Sequence, residues 1–343
     1  MILAGDIGGT NTRVALFQEE AGRLHLEREQ VYPSREHKTL YEIALLFISQ
    51  QAVKPTTACF GIAGPVLHGR VAASNLPWVI DSLELSRELG IESVWLINDL
   101  EAHASGVDDL APSDFLTLRA AGPATGNAAL IAAGTGLGEA GLYWDGRRRH
   151  PFPCEGGHTD FAPRNALEIE LLRYLLKKFE RVSYERVVSG PGLTNIYDFL
   201  RDSGHEPEPG WLQDELRQAA DAAVVISRHA MEGKAPICEQ ALDIFVRVYG
   251  AEAGNLALKV MSTGGLFISG GIAGKILPRL QGPDFLEAFL AKGRMRPLLE
   301  SMPVRVIMNE KVGLIGAARY ASLREKQASE TPAASRPILI SQS

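Results

Sequence analysis

Asp6 stands inside GDIGGTN, residues 5–11, where glycines, a threonine and an asparagine surround one carboxylate. Glycine turns let a ligand approach main-chain amides closely, and Thr10 and Asn11 add side-chain donors. Gly5, Ile7, Gly8, Gly9 and Thr10 are therefore candidate phosphate contacts, with the three glycines expected at positive φ. The run is neither a GxxxxGK[ST] loop nor a GxGxxG that opens a helix. Asp6 would repel a bare phosphate, so its place makes chemical sense with a divalent cation, Mg2+, between them. A second carboxylate, Asp99, closes VWLIND at 94–99. An ionised carboxylate can aim a hydroxyl and accept its proton late in a loose phosphoryl-transfer transition state. Its plainer role at a strand end is to cap the helix that follows. A third group, Cys154, Glu155, His158 and Asp160, falls within CEGGHTD. With no CxxC in the chain, zinc is disfavoured, and hydrogen bonding to adjacent hydroxyls suits Glu155 as acceptor and His158 as donor and acceptor.

The elements that must position these residues read as alternating strands and helices. Ile2 and Leu3 lead into the first glycine turn and Arg13 to Phe17 leave it, a strand, turn, strand unit. The same unusual unit recurs at 128–146 around GTGLG, which points to two related halves. A third glycine turn, SGGIAGK at 269–275, switches from strand to helix. Leu40, Ile43, Ala44 and Phe47 share one helical face, as do Leu167, Leu171, Leu172, Leu175 and Phe179, and 213–232 and 237–260 also read as helices. Asn165 and Glu168 have capping-box spacing. Three glycine turns on strand ends suit a nucleotide, with Gly134, Thr135 and Gly136 making a second phosphate contact and Gly270 and Gly271 approaching the adenosine. Asn75, in ASNLPW, lies on a polar loop, where a turn-forming role is expected ahead of contact with a sugar.

Composition narrows the partner. The 343 residues carry 35 Lys and Arg against 41 Asp and Glu, a net charge of −6, which leaves no electrostatic footprint for nucleic acid or an anionic membrane. A small-molecule partner is expected. The three separated cysteines fit a reducing compartment rather than a disulfide framework. The start is too acidic and glycine-rich for a signal peptide and no apolar run reaches membrane length, so a cytoplasmic location is expected.

The ordered set GDIGGTNTR, LINDLEA, AAGTGLGEA, EGGHTDFAP, SYERVVSGPGL and FISGGIAGK resembles the bacterial glucokinase family, within the actin-like ATPase superfamily. NEKVGLIGAARY at 309–320 resembles that family's closing helix. The resemblance implies an ATP-dependent phosphorylation of D-glucose at its 6-hydroxyl, the first step of glycolysis, by a homodimer. It places the catalytic base on Asp99 and sugar-binding roles on Asn98, Glu155, His158 and Glu185, with ATP and Mg2+ as cofactors and Asp6 toward the metal. The expected architecture is α/β, with two ribonuclease-H-like domains flanking an interdomain cleft. The smaller comprises 1–108 plus 303–325, the larger 109–302, and 326–343 form a disordered tail. Kinases for other hexoses and non-catalytic sugar sensors share such a fold. A sensor of that kind usually carries an N-terminal helix-turn-helix, for which a phosphate turn at residue 5 leaves no room.

Overall fold

In the computed structural model, which describes residues 1–122 and 125–330, the chain divides into two compact units. One is Met1–Ala111 with the segment from Asn309 onward, the other Pro112–Met308.

The first unit runs β1 (Ile2–Ile7), β2 (Asn11–Glu20), β3 (Arg23–Pro33), α1 (Leu40–Ser49), β4 (Thr57–Ile62), β5 (Arg70–Ala72), β6 (Val79–Asp81), α2 (Ser82–Leu89), β7 (Ser93–Asn98) and α3 (Asp99–Gly106). Its main sheet has the order β3-β2-β1-β4-β7, with β1, β4 and β7 parallel and β2 and β3 antiparallel to their neighbours. Strands covered on both faces read as near-continuous apolar runs rather than alternating ones, as ILAGDI does up to Asp6 and TACFGI does after Thr57. Side chains still alternate in direction. Leu3 and Ile7 join Ile43, Phe47 and Leu85 in a core under α1 and α2, whereas Ile2 and Ala4 enter a second core with Cys59, Ile97 and Ala102. By the same parity Asp6 falls on the second face, at the carboxyl end of β1.

The second unit contains β8 (Phe115–Arg119), β9 (Ala128–Ala133), β10 (Leu137–Trp144), β11 (Arg149–Cys154), α4 (Ala166–Leu175), α5 (Gly190–Asp202), α6 (Gly210–Gln218), α7 (Ala222–Met231), α8 (Pro236–Val260), β12 (Gly265–Ser269), α9 (Gly271–Lys275), α10 (Leu277–Gln281), α11 (Pro283–Leu290), α12 (Arg296–Glu300) and β13 (Val304–Ile307). Its sheet order is β11-β10-β9-β12-β13-β8. The first five positions repeat the strand order and directions of the first sheet, and β8 adds an antiparallel edge. α8 is buried on most sides, the signature of a helix apolar all round. Gly250 and Gly254 let α11 come close, since a methyl there would lie 2.2 and 2.5 Å from the carbonyl oxygens of Phe285 and Phe289.

The chain then returns to the first unit as α13 (Val312–Glu330). Leu314, Ala317, Ala318 and Ala321 complete the second core of that unit. α13 crosses α3 at glycine: a methyl on Gly316 would fall 1.7 Å from the Ala102 carbonyl oxygen. This close crossing delivers Gly313 to Asp6.

Three expectations about elements and their bounds differ from the structure. The helix expected over 213–232 is two helices, because Asp221 accepts from Ala223 N at 2.9 Å and starts α7 anew. The return segment placed at 303 begins after β13, which pairs in the second sheet, and the unit boundary falls at Asn309. Residues 326–330, assigned to a disordered tail, continue α13, while 331–343 lie outside the described residues.

Candidate active site

The first unit presents Asp6, Asn98 and Asp99 at the carboxyl ends of its parallel strands, where α/β sheets bind ligands. Asn98 caps α3, its Oδ1 accepting from Leu100 N at 2.9 Å, while its Nδ2 donates to the Gly64 carbonyl at 3.2 Å. That double tie fixes Asn98 against the loop after β4 and leaves Asp99 as the first residue of α3. Asp99 Oδ1 also accepts from Leu100 N at 2.9 Å. Both side chains thus reach the first amide of α3, and the helix N-terminus favours Asp99's ionised form. Burial nevertheless raises the carboxyl pKa of Asp99, with His103 and the Leu100 amide lowering it and the Asp6 charge adding to the rise. Asp6 is likewise raised by burial and lowered by His103 and Arg13. Two half-buried carboxylates therefore share one field, a setting that attracts a cation or a proton.

The turn between β1 and β2 is built for close approach, not for left-handed backbone. Gly5, Gly8 and Gly9 do not have positive φ, contrary to the sequence expectation. Gly5 lies within β1, where a methyl would come 2.4 Å from Phe60 Cδ1, and Ile7 is a core residue whose main chain alone is at the turn. A methyl on Gly8 would lie 2.9 Å from the Asn11 carbonyl oxygen, and one on Gly9 2.7 Å from Asn75 Cβ. Ser34 fastens the turn: its Oγ donates to the Gly8 carbonyl at 2.7 Å and its N to the Thr10 carbonyl at 2.9 Å. Asn75 does sit in a turn, as read, and that turn is packed on the glycines.

The second unit gathers Glu155, His158 and Glu185. Glu155 precedes a 3-10 turn, Gly156–His158, and Glu185 lies in another, Tyr184–Arg186. His158 lies between the two carboxylates, Nε2 3.9 Å from Glu155 Oε2 and Nδ1 3.9 Å from Glu185 Oε1. Neither distance is a hydrogen bond, so these atoms keep capacity for ligand hydroxyls. Glu185 Oε2 accepts from Leu137 N at 3.0 Å and lies over Gly136, where a methyl would approach it to 2.5 Å. Gly190 N donates to the Gly134 carbonyl at 2.8 Å, so SYERVVSGPGL braces the second glycine turn directly. Thr135 is exposed at the tip of that turn. Gly270, at φ +90°, abuts Ala133, whose carbonyl oxygen would lie 2.5 Å from an added methyl, and Gly271 opens α9. Gly270 alone among the nucleotide candidates needs the left-handed region.

Two participants escaped the sequence reading. His103 lies one helical turn after Asp99 in DLEAH, a spacing that signals a shared face. Gly313 carries no such signal, yet a methyl there would sit 2.9 Å from Asp6 Oδ2 and 3.1 Å from His103 Cδ2.

Paired sheets of this order, each opened by a glycine hairpin, are the fold of sugar kinases. The structure matches a glucokinase from an Antarctic psychrotroph with a TM-score of 0.82 at 32% identity, over 94% of this chain and 98% of that one. It shares the fold of a ROK family glucokinase from Streptomyces griseus, solved with glucose and AMPPNP, with a TM-score of 0.66 at 19% identity over 94% and 99% of the two chains. In sequence, a glucokinase from Nostoc sp. is 45% identical over 94% of this chain and 99% of its own. The glucokinase family model matches residues 3–324, and the chain belongs to the glucokinase family.

Proposed function

We propose that the protein transfers the γ-phosphoryl group of MgATP to the 6-hydroxyl of D-glucose, giving glucose 6-phosphate and ADP. The observation that carries this reading, within that family, is the pair of half-buried carboxylates Asp6 and Asp99 at parallel strand ends. Asp99 orients the sugar 6-hydroxyl and takes its proton as the P–O bond forms, with Asn98 binding the same sugar. Glu155, His158 and Glu185 hold further hydroxyls, the carboxylates accepting and the imidazole able to do both. MgATP is a substrate here. Asp6 suits its cation, because Mg2+ takes one or two protein carboxylates and fills its remaining positions with phosphate oxygens and water. The turns at 8–10 and 134–136 approach the phosphates, and Gly270 and Gly271 the adenosine. A homodimer working in a reducing cytoplasm completes the reading. The three free thiols fit the reducing compartment of that reading. Among the described residues no helix is long and apolar enough to cross a membrane.

The test is ADP release from MgATP in a coupled assay across glucose, mannose and N-acetylglucosamine. Glucose should give the highest kcat/KM, by about 10-fold or more over the alternatives. A higher value for another hexose would reassign the substrate, and no turnover with any sugar would remove the kinase reading.

A further inference from the structure

The second unit buries two carboxyl groups that this mechanism does not use. Glu139 is 2% exposed and Glu252 fully buried. Glu139 lies on β10 opposite Cys154 of β11 and directly beneath the Glu155–His158 segment, since a methyl on Gly156 would fall 1.8 Å from its Oε2. The Glu252 charge acts on the Glu139 carboxyl and, after burial, raises it above the ordinary carboxylate range. Glu252 Oε2 accepts from Asn255 Nδ2 at 2.8 Å and its Oε1 from Lys259 Nζ at 3.4 Å. Asn255 Nδ2 also reaches Tyr184 Oη at 3.0 Å, and Lys292 Nζ donates to Asn255 Oδ1 at 2.5 Å. One end of this network therefore supports Gly156, between Glu155 and His158, and the other the residue before Glu185. Glu139 Oε1 is buried without a hydrogen-bond partner. The fold itself does not ask for an acid here. Counting back from the hairpin, Val14 on β2 occupies the place in the first sheet that Glu139 occupies on β10.

We propose that Glu139 is a positioning residue for sugar binding, whose protonated side chain supports Gly156 and so holds Glu155 and His158 in place for sugar hydroxyls. This rests on the reading of Glu155 and His158 as sugar ligands. Deprotonation would set two like charges side by side in a buried site, a repulsion most easily relieved by moving the Gly156 segment. Burial first, and the Glu252 charge second, push the Glu139 carboxyl up to about 8, with Lys259 opposing. The other groups facing the pair are Tyr249 of α8, Cys154 of β11 and Tyr184, all held neutral because burial raises their own values, and Lys292, which burial lowers to about 8.

The experiment measures glucose KM, with ATP KM as control, for wild type and Glu139→Gln between about pH 6.5 and pH 9.5. The amide keeps the shape and a donor and cannot ionise. Wild-type glucose KM should rise about 3-fold or more through the alkaline range, while Glu139→Gln holds the wild-type neutral value throughout and ATP KM shows no such split. Melting temperature gives a second readout. The folded pKa of Glu139 is raised above its unfolded value of 4.5, so its stabilising contribution is complete below 4.5 and is lost as pH rises through about 8. Wild type should therefore lose stability relative to Glu139→Gln across that window. Should Glu139→Gln fold poorly, Glu252→Gln removes the same like-charge pair and carries the test. Identical pH profiles for wild type and variant overturn the proposal. Glu155→Gln separates the two levels: if it leaves glucose KM unaltered, the sugar-ligand reading fails and takes the proposal with it. If it raises glucose KM while Glu139→Gln tracks wild type at every pH, only the proposal falls.

Discussion

The two sheets have one strand order and one set of directions, yet they put their charges in opposite places. In the first, carboxylates stand at the ends of strands: Asp6 on β1, and Asp99 where β7 passes into α3. In the second, the place of Asp6 is taken by Ala132, and the strand ends are alanine and serine. The carboxylates proposed for sugar, Glu155 and Glu185, stand instead just before one 3-10 turn and within another, outside the sheet. The hairpins differ in the same sense. Residues 8–11 separate the last paired residues of the first, and 134–136 those of the second, which is one residue tighter. A duplicated fold thus does not fix where chemistry sits. Strand ends anchored by a helix cap give a carboxylate little freedom, which suits aiming one hydroxyl, whereas turns allow several acceptors to converge on several hydroxyls.

That division predicts its own largest effect. Asp99→Asn keeps the shape at the start of α3 and removes the proton acceptor, so kcat should fall by roughly 10²–10⁴-fold with glucose affinity nearly retained. Turnover at the wild-type rate would dissolve the distinction between the two units. Glu185→Gln should act the other way, raising glucose KM by about 10- to 100-fold, the worth of a charge-assisted hydrogen bond, with a smaller change in kcat. A kcat loss as large as that of Asp99→Asn, with glucose KM unmoved, would show that the second unit also carries chemistry.

Much of this arrangement was legible in the sequence, for identifiable reasons. Apolar runs ending in GDIGGTN and GTGLG fix strand, turn, strand units, and repetition of an unusual unit implies the repeated sheet. The capping pair Asn165 and Glu168 also formed, with Asn165 Oδ1 accepting from Glu168 N at 2.9 Å. Long-range packing was not legible. The role of Gly313 depends on α13 crossing α3 at Gly316, and that contact joins segments some two hundred residues apart, with no local pattern to announce it. The glycines at 5, 8 and 9 were misread for a related reason. A glycine can serve an unusual φ or a close neighbour, and only the fold reveals that Phe60 and Asn75 are the neighbours. Nothing in the sequence around Glu139 marks it as buried, because burial of an acid is set by what packs over it.

The smallest predicted effect tests how each glycine turn is fastened. The first adds a side chain to its main-chain bond from Ser34 N to the Thr10 carbonyl: the buried Ser34 Oγ lies 2.7 Å from the Gly8 carbonyl oxygen and 2.9 Å from Oγ1 of buried Thr12. The matching tie of the second turn, Gly190 N to the Gly134 carbonyl at 2.8 Å, is main chain to main chain. Ser34→Ala should therefore cost about 1–3 kcal/mol, the penalty for leaving buried polar groups unpaired, and raise ATP KM a few-fold. Ser189→Ala removes the N-cap of α5, where Ser189 Oγ accepts from Gly192 N at 3.0 Å, and should cost about 1 kcal/mol. Because the Gly190 to Gly134 bond survives that change, ATP KM should stay within about 2-fold. Denaturant melts and ATP titrations of the two variants decide the matter. An ATP KM that rises more in Ser189→Ala than in Ser34→Ala would mean that the helix cap, rather than the main-chain bond, holds the second turn.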